Sequence, residues 1–277
     1  MYVCMLSLIS GRLISNNAYI CNESLLTEIK NHNLTPDILF YLLLFMVALL
    51  YASVGHGGAS GYLALMAFYA LSPDTMRPTA LVLNIFVSGT SFFQYYRGGH
   101  FRWQLFWPFA LASIPAAFLG GMVSIDAGLY KKILGVLLLF AIARLTGVGI
   151  FRENETEKPQ NLFLSLVVGL VIGLFSGMIG IGGGIILSPV ILLLHWADMK
   201  KTAAVSALFI LVNSVAGISG MFTQGIQFNT AMATMVMVAL AGGLTGSYMG
   251  ARKMGNRMLR NILAAVLLLA AVKLLLT

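Results

Sequence analysis

The chain has 277 residues, of which 59% are hydrophobic and only 9% are charged, and its mean hydropathy is +0.90. Soluble domains carry about 25% charged residues, so this composition excludes a soluble enzyme, a nucleic-acid-binding domain and a disordered chain. The net charge of +8 does not indicate nucleic acid, because the basic residues stand at the ends of apolar segments, where they anchor helices at lipid headgroups. The sequence therefore predicts an all-α polytopic membrane protein.

Residues 1–37 are predicted to be an extramembrane lead, or the product of an over-long gene start. They are polar apart from residues 1–9, a stretch that lacks a basic start and is too short to span a bilayer. Cys4 and Cys21 both lie in this segment and show neither metal-ligand spacing nor a disulfide framework. No metal site and no cofactor are expected.

The rest of the chain resembles itself, which indicates a duplication. The glycines at positions 55, 57 and 58 recur 125 residues later, and residues 130–145 match residues 259–274 at six of sixteen positions. Two transmembrane repeats are therefore predicted, at 38–150 and 160–277. The charged segment 151–159 joins them as a linker.

Each repeat is predicted to begin with a broken helix followed by three uninterrupted spans. The breaks are Gly55–Gly58 and Gly180–Gly184, and each is followed by an apolar piece too short to cross a hydrocarbon core of about 30 Å. The pieces flanking the breaks are 38–54 and 59–71 in the first repeat, and 161–179 and 185–196 in the second. The uninterrupted spans are 76–97, 103–122, 129–150, 200–223, 228–250 and 257–276.

The basic residues favour a hairpin for each broken helix over a single crossing. If each broken helix crosses once, the two membrane faces carry nine and eight Lys and Arg residues, which is no bias. If each enters and returns, one face collects eleven and the other six. Cytoplasmic loops are enriched in Lys and Arg, so the sequence predicts inverted repeats, both termini outside and a cytoplasmic linker at 151–159.

The paired glycine breaks are the predicted binding site. Non-helical backbone at membrane depth is tolerated only against protein or a wet cavity, and the helix N-termini after each break favour an anion. The alternative is that glycines only allow close helix packing, which suits Gly120–Gly121 and Gly242–Gly243. The candidate substrate-binding residues are Gly55, His56, Gly57, Gly58, Ser60, Asn84, Gly180, Gly182, Gly183, Gly184, Ser206 and Asn213.

Roles within this set stay open at the level of sequence. His56 is a proton carrier or anion ligand, since imidazole titrates near neutral pH, or it donates to a carbonyl and fixes the break. Asn84 and Asn213 bind substrate or join helices. All nine acidic residues lie outside the spans or at their edges, so a buried carboxylate relay is not expected.

The glycine breaks, the block Gly180–Pro189, the run Ser206–Ser214 and the duplicated layout resemble the sulfite exporter TauE/SafE family over residues 38–277. The resemblance implies a bacterial-type cell-membrane permease for small sulfur-containing anions such as sulfite, sulfoacetate or other sulfonates. The first repeat departs from the second by having His56 and Ala59 in place of Ile181 and Gly184. The partners implied are a small inorganic or organosulfur anion and the lipid bilayer, with a homo-oligomer left open and no nucleic acid.

Two other functions fit parts of the sequence. An intramembrane serine protease would use Ser60, because Gly58-Ala-Ser-Gly61 has the Gly-x-Ser-Gly form and His56 is nearby, although a serine needs a base within hydrogen-bond reach. The second alternative is a membrane subunit that transports nothing.

The predicted orientation can be tested by cysteine labelling in a variant that also carries Cys4→Ser and Cys21→Ser. We expect an impermeant maleimide to label Lys131→Cys in intact cells, because that loop is predicted outside, and to label Glu155→Cys only after permeabilisation. Labelling of Glu155→Cys in intact cells would contradict the inverted arrangement.

Overall fold

The computed structural model describes residues 38–69, 71, 73–123, 157–223 and 230–276, and in these ranges it contains helices and no strands. The chain divides into two compact units, Met1–Phe40 and Tyr41–Thr277. Of the first unit the structure describes only residues 38–40, which belong to the first turn of helix α1. The helices are α1 Ile38–Ser53, α2 Ala59–Phe68, α3 Pro73–Arg97, α4 Trp103–Gly121, α5 Leu162–Ile179, α6 Gly184–Leu193, α7 Met199–Phe222, α8 Thr230–Tyr248 with a π-helical turn Met249–Lys253, and α9 Asn256–Leu276.

These helices confirm the predicted segments, with ends that differ by three residues or fewer. The predicted span 129–150, the lead 1–37 and most of the linker 151–159 lie outside the described residues. Local chemistry explains several ends. Asn161 and Asp198 cap α5 and α7 by accepting hydrogen bonds from the backbone N–H groups of Leu164 and Lys201, at 3.0 and 2.9 Å.

Four of the described helices are long and apolar enough to cross a membrane, namely α4, α5, α7 and Ala231–Lys253. Large apolar side chains on them face outward, and Leu111, Phe163 and Met237 are each more than 60% exposed. In water such a surface would be an aggregation hazard, whereas in a bilayer it contacts lipid. Ser113, Ser165, Ser176, Ser206 and Asn213 are buried inside instead. The chain is therefore a multi-pass membrane protein.

Helices α3 and α7 pack against each other in antiparallel directions. Leu81, early in α3, packs with Ile218 and Met221, late in α7. Tyr95, late in α3, packs with Ala203 and Ala204, early in α7. Helix α3 lies in the first half of the sequence and α7 in the second, and the two run in opposite directions.

Two stripes of glycine bring each broken helix against a long helix from the other half. A Cβ atom added at any of these glycines would collide with backbone atoms of the opposite helix. In α5 the stripe is Gly169, Gly173 and Gly177, which face Phe109, Ser113 and Ala117 of α4; in α8 with its π-helical turn it is Gly242, Gly246 and Gly250, which face Phe45, Leu49 and Ser53 of α1. Both pairs are parallel, and the close-packing interpretation of Gly120–Gly121 and Gly242–Gly243 is confirmed.

The start of α5 and the end of α6 lie at the same end of the bundle. The N–H of Lys158 donates to the carbonyl of His195, at 2.8 Å. Glu157 accepts hydrogen bonds from Arg102 at 2.7 Å and from Lys201 at 2.5 Å. The start of α5, the end of α6, the start of α4 and the start of α7 therefore lie together at one end of the bundle. This end, the basic face, carries Arg102, Lys158 and Lys201.

Replacing Gly173 with alanine should destabilise the packing of α4 on α5. The added methyl carbon would lie 2.6 Å from Cα of Ser113, so the helices must separate, at a cost of about 1–3 kcal/mol in the free energy of unfolding. Thermal unfolding in detergent measures it. The matched control is Gly255→Ala, where nothing lies within 4 Å of the added carbon; equal stability of the two variants would contradict this account.

Candidate functional site

The first break, between α1 and α2, depends on glycine geometry. Gly55 and Gly58 have φ angles of +76° and +96°, which L side chains rarely adopt. At Gly55 there is also no room, because a Cβ atom would collide with the backbone of Ala203 in α7. The break is thus pressed against α7 and buried.

The second break repeats this geometry between α5 and α6. Gly180 ends α5 in the left-handed conformation, with φ +81°, and its N–H donates to the carbonyl of Ser176 at 2.9 Å. Gly182 and Gly183 follow with φ +77° and +78°, and Gly183 is the N-cap of α6. The prediction that glycines allow the chain to turn at both breaks is confirmed.

Asn84 of α3 joins the two breaks. Its side-chain oxygen accepts a hydrogen bond from the N–H of Ala59, the first residue of α2, at 3.1 Å. Its amide nitrogen donates to the carbonyl of Ile181 in the second break, at 3.2 Å. The side chain is fully buried, and these contacts match the role of joining helices; they also occupy one N–H group at the N-terminus of α2.

His56 makes a second bridge between the breaks. Its Nδ1 lies 3.0 Å from the carbonyl oxygen of Val54, and its Nε2 lies 3.0 Å from the carbonyl oxygen of Gly184. The hydroxyl of Ser188 lies 3.3 Å from the same Nε2 and 2.7 Å from the hydroxyl of Ser206. A neutral imidazole has one N–H and can donate to only one of the two carbonyls. When Nε2 carries the proton it donates to Gly184 and joins the breaks, and when Nδ1 carries it Nε2 accepts from Ser188 instead. The contacts match the carbonyl-bonded role for His56.

Ile210 of α7 is a site residue that sequence reasoning missed. Its Cγ2 atom would lie 3.0 Å from a Cβ atom added at Gly57 and 2.8 Å from one added at Gly182, so it fills the space between the breaks. The available signal was its spacing, because Ser206 and Ser214 lie four residues away on either side and share its helix face.

The remaining candidates have different surroundings. The hydroxyl of Ser60 pairs with that of Tyr51, at 2.7 Å. Asn213 is fully buried, and neither polar atom of its side chain has a hydrogen-bond partner among the described residues. The structure therefore brings both breaks, His56, Asn84 and Ser206 into one polar cluster, whereas Ser60 points to Tyr51.

Arg77 places one positive charge near the second break. Arg77, in the first turns of α3, reaches the carbonyl of Gly177 with Nη2 at 3.4 Å, and its own carbonyl lies 3.2 Å from a Cβ atom added at Gly180. It therefore stabilises the negative end of the α5 dipole.

The protease alternative gains no support from these contacts. Both ring nitrogens of His56 lie against backbone carbonyls, and the described contacts of the imidazole include Ser188 rather than Ser60. Within the described residues there is also no group of three His, Cys, Asp or Glu side chains that could hold a metal ion.

Paired breaks inside a helical membrane protein define a fold of the transporter type, in which discontinuous helices meet at the binding site. The profile of the family described as "Sulfite exporter TauE/SafE" matches residues 40–274. The chain belongs to this family of membrane transport proteins.

Relatives agree with that assignment. The chain is 36% identical to "Probable membrane transporter protein y4hK" of Sinorhizobium fredii over 234 residues, which cover 83% of this chain and 95% of the relative. It is 25% identical to "Probable membrane transporter protein YdhB" of Bacillus subtilis, covering 84% and 96%, and 25% identical to "Probable membrane transporter protein MamO" of Magnetospirillum gryphiswaldense, covering 80% and 42%. No solved structure matches the chain.

Asn84→Ala should destabilise the protein, because it leaves the N–H of Ala59 and the carbonyl of Ile181 buried without their partner. Each unsatisfied group costs about 1–3 kcal/mol, so we expect the unfolding free energy to fall by about 2–4 kcal/mol in a denaturation experiment. The control is Ser88→Ala, which removes a buried hydroxyl bonded to its own helix and should cost about 1 kcal/mol or less. A loss at Asn84 no larger than at Ser88 would contradict the bridging role.

Proposed function

We propose that this protein transports small sulfur-containing anions, such as sulfite, sulfoacetate or other sulfonates, through the region where the two glycine breaks meet. The observation that carries the proposal is that two side chains connect the breaks: Asn84 bonds to both, and His56 of the first break contacts Gly184 of the second. In a site assembled from two halves, one half can move against the other and open the site to one membrane face at a time. Alternating access requires this movement.

An anion suits this region for electrostatic reasons. Helices α2 and α6 begin at the breaks, and the N-terminus of a helix carries partial positive charge and unpaired N–H groups. None of the nine acidic residues lies at or beside either break in the sequence. Dipoles bind an anion without a full opposite charge, so the anion can enter and also leave.

We propose that the two halves are inverted repeats in a bacterial-type cell membrane, with the basic face and the 151–159 linker in the cytoplasm. The proposal is supported by the antiparallel packing of α3 and α7, by the return of the second hairpin to the basic face, and by the exchange of glycine-packed partners between halves. Each hairpin would then enter from the membrane face opposite to the other.

A flux panel in proteoliposomes tests the substrate class. We expect the purified chain to carry sulfite or a sulfonate from a panel of sulfite, sulfate, thiosulfate, taurine and sulfoacetate. Empty liposomes and the variant Gly184→Ala serve as controls. In that variant a methyl group is added 3.5 Å from Cδ2 of His56 and 2.5 Å from Cγ1 of Ile210, so the Ile210 side chain must move and flux should fall. Transport of a cation or a neutral solute with none of the panel would refute the proposal.

The variant His56→Gln separates the two roles of His56. If the ring bridges the breaks, the glutamine amide can still donate to the carbonyl of Gly184, and the flux that remains should keep the wild-type dependence on pH between about pH 5 and 8, where imidazole titrates. Flux measured at several pH values, with His56→Ala alongside, gives the answer. A pH profile that flattens in both variants would show instead that the ring carries the proton.

A further inference from the structure

Five buried side chains on α4, α5 and α7 have polar atoms without a hydrogen-bond partner among the described residues. Thr202 lies in the first turn of α7, and the other four are Ser113, Ser176, Asn213 and Ser214, each at most 2% exposed. Buried polar atoms without partners are rare in native proteins because each costs free energy. The four on three neighbouring helices are therefore candidates for contact with a ligand.

Two of these side chains face the second glycine break directly. The hydroxyl oxygen of Ser214 lies 3.1 Å from the point where a Cβ atom of Gly182 would stand, and Cβ of Ser176 lies 3.5 Å from that of Gly183. Gly183 is the N-cap of α6, a helix of ten residues. The unpartnered hydroxyls therefore lie beside a helix N-terminus, which adds unpaired backbone N–H groups to the same place.

Asn213 and Ser113 lie where α4, α5 and α7 meet. Asn213 sits on α7 one turn from Phe209 and one turn from Gly217, and therefore shares their helix face. Cε1 of Phe209 lies 3.0 Å from a Cβ atom added at Gly183, and Cα of Gly177 lies 3.4 Å from one added at Gly217. The backbone of Ser113 meets Gly173 of α5, one turn before Gly177.

The two halves differ at this point. Asn84 and Asn213 are 129 residues apart, the offset that also relates the last spans of the two repeats. Asn84 is fully engaged by the two breaks, whereas both polar atoms of Asn213 lack partners. Asn84 therefore stabilises the two breaks, and Asn213 remains available to a ligand.

Taking the transport function above as its basis, we propose that Ser113, Ser176, Asn213, Ser214 and the N-terminus of α6 form the substrate subsite, for one small oxyanion. The hydroxyls, the amide N–H groups and the helix N–H groups donate to its oxygens. The amide oxygen of Asn213 accepts a hydrogen bond from a hydroxyl group of the anion itself. This favours a singly protonated oxyanion such as hydrogen sulfite over sulfate. The subsite lies beside the second break only, and Asn84 positions the breaks without touching the anion.

Uptake of sulfite by proteoliposomes of the full chain tests this subsite in the variants Ser176→Ala, Ser214→Ala and Asn213→Ala. Each variant removes a hydrogen bond to a charged group, so KM should rise about tenfold. The matched control is Ser247→Ala, which removes a fully buried hydroxyl bonded within α8 and should leave KM within about twofold of wild type.

A second measurement separates ligand binding from a structural role. Without any anion, the unfolding temperatures of Ser176→Ala and Ser214→Ala should equal or exceed that of wild type, because an unpartnered polar atom has been removed and only one atom is lost. Unchanged KM in all three variants, or lower unfolding temperatures of the two serine variants without anion, would overturn the subsite.

Failure of the subsite can be told apart from failure of the proposed function. If wild type carries no sulfur anion, the transport proposal is wrong, and the subsite is tested by the unfolding temperature in sulfite, sulfate, phosphate and nitrate. An oxyanion that stabilises wild type and Ser247→Ala but none of the three variants supports the subsite. If no oxyanion stabilises wild type, the subsite is overturned as well.

Discussion

Backbone that leaves a helix inside hydrocarbon has no water to satisfy its N–H and carbonyl groups, and this constraint determines how the interior of the protein is arranged. The chain leaves helical structure at two buried glycine breaks, and each contributes groups to the same side chains. Asn84 accepts from the start of α2 and donates to Ile181, while His56 contacts carbonyls in both breaks. Each break is therefore stabilised by the presence of the other.

Close packing of the helices allows the two breaks to come together. The bridging bonds form only if each hairpin lies deep among helices of the other half, and the glycine stripes on α5 and α8 remove the side chains that would prevent it. Dispersion and close backbone approach hold helices together in membranes, where the hydrophobic effect does not. The same glycines that pack the helices thus keep the polar breaks away from lipid.

Helix positions could be predicted from the sequence because apolar runs, glycine clusters and caps are local signals, and the pairing of the two breaks followed from the requirement that irregular backbone avoid lipid. Individual partners could not be predicted. The bond from Asn84 to Ile181 joins residues 97 apart and the contact of His56 with Gly184 joins residues 128 apart, so they depend on helix rotation that composition does not determine. The contrast between Asn84 and Asn213 was also hidden, because both are single asparagines in similar apolar helices.

Hydrogen–deuterium exchange of the full chain in detergent micelles tests the mutual satisfaction of the breaks most directly. Peptides covering 54–60 and 180–186 should be protected in the wild-type protein and in Ser88→Ala. In Asn84→Ala, exchange in both peptides should rise together, because one side chain bonds to both breaks. Rapid exchange of either peptide in wild type, or a rise confined to one of them in Asn84→Ala, would contradict the account.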